Sequence, residues 1–535
     1  MHPPRKGRAA ALIVSSAVMG SRVLGLIREQ VFAAMFGAGQ HLDSFLAAFQ
    51  IPNLLRDLFA EGALSTAFTT VFAKTAEKEG DAPAWRLANL VITTMILLLG
   101  VICVAGVWLS PLLVNLTSYG FHTVPGKFEQ TVALTRIMFP FILVISLSAV
   151  VMGMLNARFV FGIPAMAPMA YNLVSVATGV AMAFLFDPQE NWRHPHFTSR
   201  ALLGVATGVM LGGLAQLMVQ LPTLWRQGFR FHWKINFKDP RLLEVWQLMW
   251  PALIAASAVE INILINSQFA SGIDGGRSWL TCAFRLVYFP IGMFGVAIAT
   301  VLLPSVARFE ANHDRTSFGR HVEESLRLSL FMTIPAAVGL FALAPQIIKL
   351  IYQHGAFTAE ATSQTAAALR AYTFGLAGYA GSKVLIPCFQ ALSKPTIPLR
   401  VNAIAIGVNL ALNVTLVMGF HFGHIGVASA TAGVSLVNFA QLAWILRRDV
   451  PLGSLKSWLN LLVVLSAGGL LGGLGAWGAA RFLDSVLPDT LAGQTLQVIG
   501  SVGIGVSLYG AFTLACRLPE SRLALRLILN KRIRR

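Results

Sequence analysis

The chain has 535 residues, of which 56% are hydrophobic and 12% charged. An average soluble domain is roughly a quarter charged and somewhat under half apolar, so the balance excludes a disordered chain, argues against a soluble enzyme and points to a membrane protein. Lys and Arg number 41 against 23 Asp and Glu, a net charge of +18, and the meaning of that excess depends on where the cations lie.

From the N-terminus, Arg5-Lys6-Gly7-Arg8 followed by the apolar run Ala9 to Gly20 imitates a signal peptide. The run continues past Arg22 without a small-x-small cleavage site, so we read it as the first span, retained in the protein. A spanning helix takes about 20 mostly apolar residues. About fourteen such stretches follow one another, at 9–36, 41–73, 88–116, 130–156, 163–186, 201–225, 242–268, 278–307, 322–344, 362–390, 397–420, 424–446, 457–480 and 494–517. The first, second, seventh and eighth carry charges or proline. The connections are short and leave little room for an extramembrane domain. Cys103, Cys282, Cys388 and Cys516 lie in or beside apolar runs without metal-like spacing, which predicts buried thiols rather than disulfides or a zinc site.

The basic residues are unevenly divided between the two sets of loops. One side, including both termini, holds 27 Lys and Arg, and the other holds 6. By the positive-inside rule both termini are cytoplasmic. The basic tail of Arg522, Arg526, Lys531, Arg532, Arg534 and Arg535 then reads as a topology and anionic-lipid signal rather than a nucleic-acid site.

A shift of 234 residues superposes Pro111 on Pro345, Leu116 on Leu350, Gln130-Thr131 on Gln364-Thr365, Arg136 on Arg370 and Ile163-Pro164 on Ile397-Pro398. It also places Ser44 on Ser278 and Thr66 on Thr300. One constant offset across several helices indicates an internal repeat of six spans. An even number returns the chain to its starting side, so the copies share one orientation and form two pseudo-symmetric lobes. The expected fold is therefore all-α and polytopic. Residues 1–226 form an N-terminal lobe, 227–448 a C-terminal lobe, and 449–535 two extra helices and the basic tail.

Eight basic residues remain inside or near the ends of the spans: Arg22, Arg28, Arg56, Arg136, Arg285, Arg327, Arg370 and Lys383. An Arg at the bilayer centre costs on the order of 2.5–3.5 kcal/mol by insertion scales, so such residues face partners or a wet cavity. Arg285 maps near Arg56 on the 234 offset, which expects positive charge on both walls of a central cleft. Arg22 and Arg28 are six apart, roughly 120° around a helix, and a bend at Gly25 would bring them together. Pro52 precedes Arg56 and Pro290 follows Arg285, so both helices are expected to break near their charges. Against this, Arg56 has the local partners Asp57 and Glu61, and snorkelling is the simpler account of Arg136, Arg327 and Arg370. Cations facing a cavity imply an anionic ligand, and guanidinium suits a diphosphate or carboxylate headgroup.

Acidic groups are sparse. Glu260, with Asn262 and Asn266, is a candidate cation or proton site, or a cavity residue with a local partner. Asn409 and Asn413 share a helix face; helix–helix hydrogen bonding is favoured over a weak cation site. No Walker A, HExxH or GxSxG motif occurs. Transport would then draw on an ion gradient, the membrane potential or the substrate gradient, and one charge crossing 100 mV yields about 2.3 kcal/mol.

The runs Ser21-Arg22-Val23-Leu24-Gly25-Leu26-Ile27-Arg28, Phe36-Gly37-Ala38-Gly39, Asp43-Ser44-Phe45 and Pro52-Asn53-Leu54-Leu55-Arg56-Asp57-Leu58-Phe59-Ala60-Glu61-Gly62-Ala63 resemble the MurJ (MviN) family. These are the lipid II flippases of peptidoglycan synthesis, within the multidrug/oligosaccharidyl-lipid/polysaccharide exporter superfamily. Phe284-Arg285-Leu286 through Pro290-Ile291-Gly292 also fits the family's eighth helix. The resemblance covers essentially the whole chain. It implies fourteen helices, a cationic cavity, and alternating access that moves the undecaprenyl-diphosphate-linked disaccharide-pentapeptide to the outer leaflet of the bacterial inner membrane. It also implies a groove for the polyprenyl tail along the last two helices. The family's cavity residues fall on Arg22, Arg28, Arg56, Arg285 and Asp43, with Glu29, Asp57, Glu61, Glu260 and Lys383 as cavity or gating candidates. The chain departs from some members in having Tyr288 three residues after Arg285, and Asn413 where a sodium-binding carboxylate is expected. Implied partners are lipid II, membrane lipids and cell-wall synthesis enzymes, with a monomeric carrier, no cofactor, no confident metal and no nucleic acid. Coupling to membrane potential or a monovalent cation stays open. The competing readings are a drug/cation antiporter of the same superfamily, a membrane enzyme acting on polyprenyl phosphates, and a scaffold for cell-wall enzymes.

Overall fold

A computed structural model describes residues 5–57, 63–188 and 197–522. Among them every regular element is helical, and each of the fourteen predicted spans falls on helix. Ten helical stretches are long and apolar enough to cross a membrane, from Asp81–Trp108 to Leu491–Ala515. The chain is a multi-pass, all-α membrane protein. Helices are the expected solution, because the hydrocarbon core offers backbone groups no partner but each other.

The repeat is visible element by element. In the first copy α1 is Arg5–Phe36, α2 Gln40–Arg56, α3 Ala63–Glu79, α4 Asp81–Trp108, α5 Ser110–Ser118, α6 Lys127–Met138, α7 Phe141–Ala157, α8 Gly162–Phe186 and α9 Ser199–Met218. A short α10, Leu221–Arg226, follows. The second copy runs α11 Pro240–Ser271, α12 Gly276–Pro290, α13 Ala297–Ala311, α14 Arg315–Ala342, α15 Ala344–Tyr352, α16 Ala359–Thr373, α17 Leu376–Ala391, α18 Thr396–Asn413 and α19 Gly423–Asp449. Both ends of α4 and α5 map onto α14 and α15 at the 234 offset. Pro111 and Pro345 explain one conserved break, since each opens its short helix within the first two positions, where a missing N–H costs nothing. The correspondence slips only at α9 and α19, after the longer connection in the first copy. Helices α20, Leu455–Val486, and α21, Leu491–Ala515, complete the chain.

The chain divides into two compact units. The first comprises 1–277 with 354–357, and the second 278–353 with 358–535. The boundary is not the repeat boundary, because α11 packs with α3, α4 and α5 in the first unit. The first unit's core joins α3, α4, α7 and α11 through Phe68, Phe72, Val91, Met154, Leu242 and Val245. The second unit's core joins α13, α14, α17 and α19 through Val306, Phe318, Val384, Phe389 and Leu446.

Close helix approach rests on small residues, as expected where lipid removes the hydrophobic drive. Gly204, Gly208 and Gly212 form one stripe of α9 against α8; a Cβ at Gly208 would lie 2.4 Å from the Cα of Gly179. Gly472 of α20 faces Gly505 of α21 in the same way. The added pair is fastened to the second unit, where Tyr509 Oη donates to the Phe331 carbonyl at 2.7 Å. Arg327 pairs with Glu323 and Glu520. Lys349 pairs with Asp489 at 2.8 Å.

Proline deforms the helices rather than ending them at mid-span. Pro52 sits inside α2, which continues to Arg56. Pro290 closes α12, but a π-helical stretch, Ile291–Val296, carries the chain directly into α13. Such a π-helical widening is frequent at functional sites. Residues 58–62, with Glu61 and part of the Pro52–Ala63 block, lie outside the described residues, as do tail residues Arg526, Lys531, Arg532, Arg534 and Arg535. Three cysteines are buried as expected; Cys516 is exposed, because it caps the end of α21 instead of lying within it.

Candidate functional site

In the first unit the candidate arginines begin on α1. Arg22 is exposed and Arg28 half-buried. The Arg28 guanidinium carbon lies 5.0 Å above the Tyr171 ring of α8. Its Nη1 is buried with no hydrogen-bond partner among the described residues. A cation–π contact attracts a guanidinium but leaves its N–H donors available. The α1–α8 seam that sets this geometry is close: Asn172 Nδ2 donates to the Ser21 carbonyl at 3.2 Å, and a Cβ on Gly20 would meet Met169 at 2.9 Å. Helix α1 runs unbroken through Gly25. Glu29 is half-buried and engaged.

Arg56 takes the local partner that its sequence offered. Its Nε and Nη2 donate to Asp57 Oδ1 at 3.0 and 2.7 Å, while Asn53 donates to the other carboxylate oxygen at 3.3 Å. Glu260 is half-buried on α11. Further along α11, Ser267 Oγ donates to Gln50 Oε1 of α2 at 2.8 Å.

Asp43 has a different setting from the arginines. It is fully buried, with Lys127 Nζ at 2.8 Å and the Gly275 N–H donating to the same oxygen at 2.9 Å. Lys127, also buried, reaches Asp274 at 3.0 Å and lies 4.5 Å above the Phe121 ring. Two carboxylates, one ammonium and a backbone donor thus fix the start of α2 to the start of α6 and to the turn after α11. In the sequence Lys127 stands in a loop, with nothing local to mark it. The signal available was Asp43 itself, a buried carboxylate that needs a partner.

In the second unit Arg285 is exposed on α12. Tyr288, three residues on, shares its face and is 55% exposed. Phe284 joins Tyr288, Tyr372 and Tyr379 in one aromatic cluster, with ring centroids 5.0, 5.0 and 5.9 Å away. Lys383 is exposed on α17. Asn409 and Asn413 are buried, and Asn413 Nδ2 donates to both oxygens of Asn409 at 2.9 Å. A π-helical stretch, Val414–Gly419, follows them. Arg370 donates to the Phe341 carbonyl and lies over its ring. Among the described residues no group of three or more His, Cys, Asp or Glu could hold a metal ion.

The duplicated all-helical membrane fold is one it shares with solved transporters of the MOP superfamily. A solved inward-facing MATE family transporter of that superfamily aligns with a TM-score of 0.68 at 12% identity, over 82% of this chain and 98% of its own. A structure of the lipid II flippase MurJ in an inward closed conformation aligns with a TM-score of 0.75 at 24% identity, over 94% and 98%. The family described as "Lipid II flippase MurJ" matches residues 32–490. The Burkholderia cenocepacia protein "Lipid II flippase MurJ" is 33% identical over 483 residues, covering 88% of this chain and 90% of its own. The Vibrio cholerae protein "Probable lipid II flippase MurJ" is 32% identical over 518 residues, covering 94% and 95%. This chain belongs to the MurJ family.

Proposed function

We propose that the chain is a lipid II flippase, carrying the undecaprenyl-diphosphate-linked disaccharide-pentapeptide from the cytoplasmic to the outer leaflet by alternating access. Given the family, the observation that carries this reading is Arg28. Its guanidinium lies on α1 against Tyr171, with a buried N–H group that the described residues leave without an acceptor. Burying a charge without hydrogen-bond partners is costly, and a diphosphate oxygen would supply the missing acceptor with a charge-assisted bond. Arg22 and Arg56 in the first unit, and Arg285 in the second, are further cations suited to an anionic headgroup. The Asp57 carboxylate holds the Arg56 guanidinium in one orientation, and Tyr288 beside Arg285 offers an aromatic face. Asp43 acts through the buried Lys127 pair rather than by direct contact.

The protein works as a carrier, in the bacterial inner membrane with both termini cytoplasmic, as the basic-residue bias requires. Residues 1–226 and 227–448 are the duplicated lobes, and 449–535 the added pair and tail. No cofactor enters the cycle; the membrane potential or a monovalent cation supplies the drive. It functions as a monomer among membrane lipids and cell-wall synthesis enzymes. The test is growth rescue in cells depleted of their native flippase. The wild-type chain should restore growth, and Arg28→Ala and Arg285→Ala, expressed to the same level, should not. Growth with both variants would refute the cavity-arginine mechanism.

A further inference from the structure

The segment between α10 and α11 carries a pattern that lipid II transport does not use. From Phe229 to Lys238 it alternates: Phe229, Phe231, Trp233, Ile235 and Phe237 on one set of positions, Arg230, His232, Lys234, Asn236 and Lys238 on the other. A period of two places these sets on opposite faces of an extended chain; residues 229–236 hold neither helix nor turn, and a turn at Phe237 and Lys238 leads into α11. It is not a loose loop. Phe229 is buried, with its ring 5.6 Å from Trp85 of α4. Asn89 of α4 brackets the backbone, accepting from the His232 N–H at 2.7 Å and donating to the Arg230 carbonyl at 3.2 Å. The Lys234 N–H donates to Thr93 Oγ1 at 3.4 Å. At the far end Asp239 caps α11 through the Arg241 N–H.

The strap is thus tied lengthwise to a helix that crosses the membrane. Its 28 residues make a rod about 42 Å long against a hydrocarbon layer about 30 Å thick. Arg86 is the last charged residue of the helix, and Asn89 and Thr93 follow it by about 4.5 and 10.5 Å along the axis, just inside the boundary of headgroups and acyl chains. There the strap leaves Phe231, Trp233, Ile235 and Phe237 46–56% exposed. Among the described residues no carboxylate pairs with Lys234 or Lys238. Exposed aromatics beside unpaired cations at this depth match an interfacial belt, and juxtamembrane cations attract anionic lipid headgroups.

We infer that residues 229–238 form an interfacial strap that binds anionic phospholipid of the cytoplasmic leaflet, its aromatic face in the acyl boundary and Lys234 and Lys238 on lipid phosphates. The side of the membrane rests on the orientation proposed above; the lipid contact does not.

The test uses the full chain in nanodiscs of phosphatidylcholine containing equal fractions of acyl-brominated phosphatidylglycerol or acyl-brominated phosphatidylcholine. The chain has 11 tryptophans, so the difference between wild type and Trp233→Phe isolates Trp233 emission. That emission should be quenched by both lipids, and more strongly by the anionic one. Lys234→Gln/Lys238→Gln should remove the preference, each lysine being worth about fivefold in local anionic-lipid enrichment, while quenching by the zwitterionic lipid persists. Equal quenching by the two lipids in wild type would overturn the anionic site. Quenching by aqueous acrylamide but by neither lipid would overturn the interfacial placement. The readout involves no flipping and senses both leaflets, so it fails or succeeds independently of the transport assay.

Discussion

Substituting Lys127 by Met removes the single ammonium that serves two carboxylates. Asp43 would keep the Gly275 N–H at 2.9 Å but lose the ammonium while remaining fully enclosed. Removing one partner of a buried ion pair costs about 3–5 kcal/mol. Asp43→Asn is milder: the amide oxygen still accepts from Gly275, and Lys127 retains Asp274 at 3.0 Å, so the loss is that of one charged hydrogen bond, about 1.5–3 kcal/mol. The double variant Lys127→Met/Asp43→Asn carries no buried charge at Asp43 and should be more stable than Lys127→Met alone, which makes the pair strongly non-additive. Reversible unfolding in mixed micelles, followed by tryptophan emission, reads all four corners of the cycle. A loss below about 1 kcal/mol for Lys127→Met, or simple addition of the two single losses, would refute the view that this cluster is a buried staple.

Two further outcomes follow from the packing and from the second unit's outer charge pair. Gly208→Ala places a Cβ 2.4 Å from the Gly179 Cα and should cost about 1–3 kcal/mol by forcing α8 and α9 apart. Gly478→Ala, where a Cβ meets nothing within 4 Å, should leave the melting temperature unchanged or raise it; equal effects would contradict the seam. Asp489 is held below the usual carboxylate range by hydrogen bonds from Lys349 and Gln494. A depressed folded-state value means its contribution is present at neutral pH and is lost as pH falls through that lower value. Protease nicking of the α20–α21 connection should therefore rise in acid below about pH 4, and should already be high at neutral pH in Asp489→Asn.

Much of the fold was legible because the bilayer imposes a length and a composition on every span. The 234 offset was legible because a duplicated chain keeps its prolines where a helix must restart, as at Pro111 and Pro345. What long apolar runs concealed were the breaks inside them: α4 and α5 share one run, and only a backbone turn at Leu109 separates them. Pro52 and Pro290 were read as breaks because proline removes a helical hydrogen bond. The chain absorbs that loss by staying helical through Pro52 and by π widening after Pro290.

The site was legible as charge and less so as pairing. Arg28 and Arg285 stand out in any hydropathy reading, and Asp57 beside Arg56 announces its own partner. Lys127 lies 84 positions from Asp43, and no local rule joins them. Asn409 and Asn413 share a helix face as their spacing expects; the bond that joins them lies within α18, where helix–helix bonding was expected. The alternation at 229–238 was present in the sequence, but only the hydrogen bonds to Asn89 and Thr93 show that the segment is held straight along a spanning helix.

The central claim is tested most directly in reconstituted vesicles. Lipid II labelled on its headgroup is placed in one leaflet, and its accessibility from the opposite face is followed with and without an imposed potential. The account predicts that the label becomes accessible with the wild-type chain and does so far more slowly with Arg28→Ala. Accessibility no faster than in protein-free vesicles would contradict it, as would an Arg28→Ala variant that moves the label as fast as wild type.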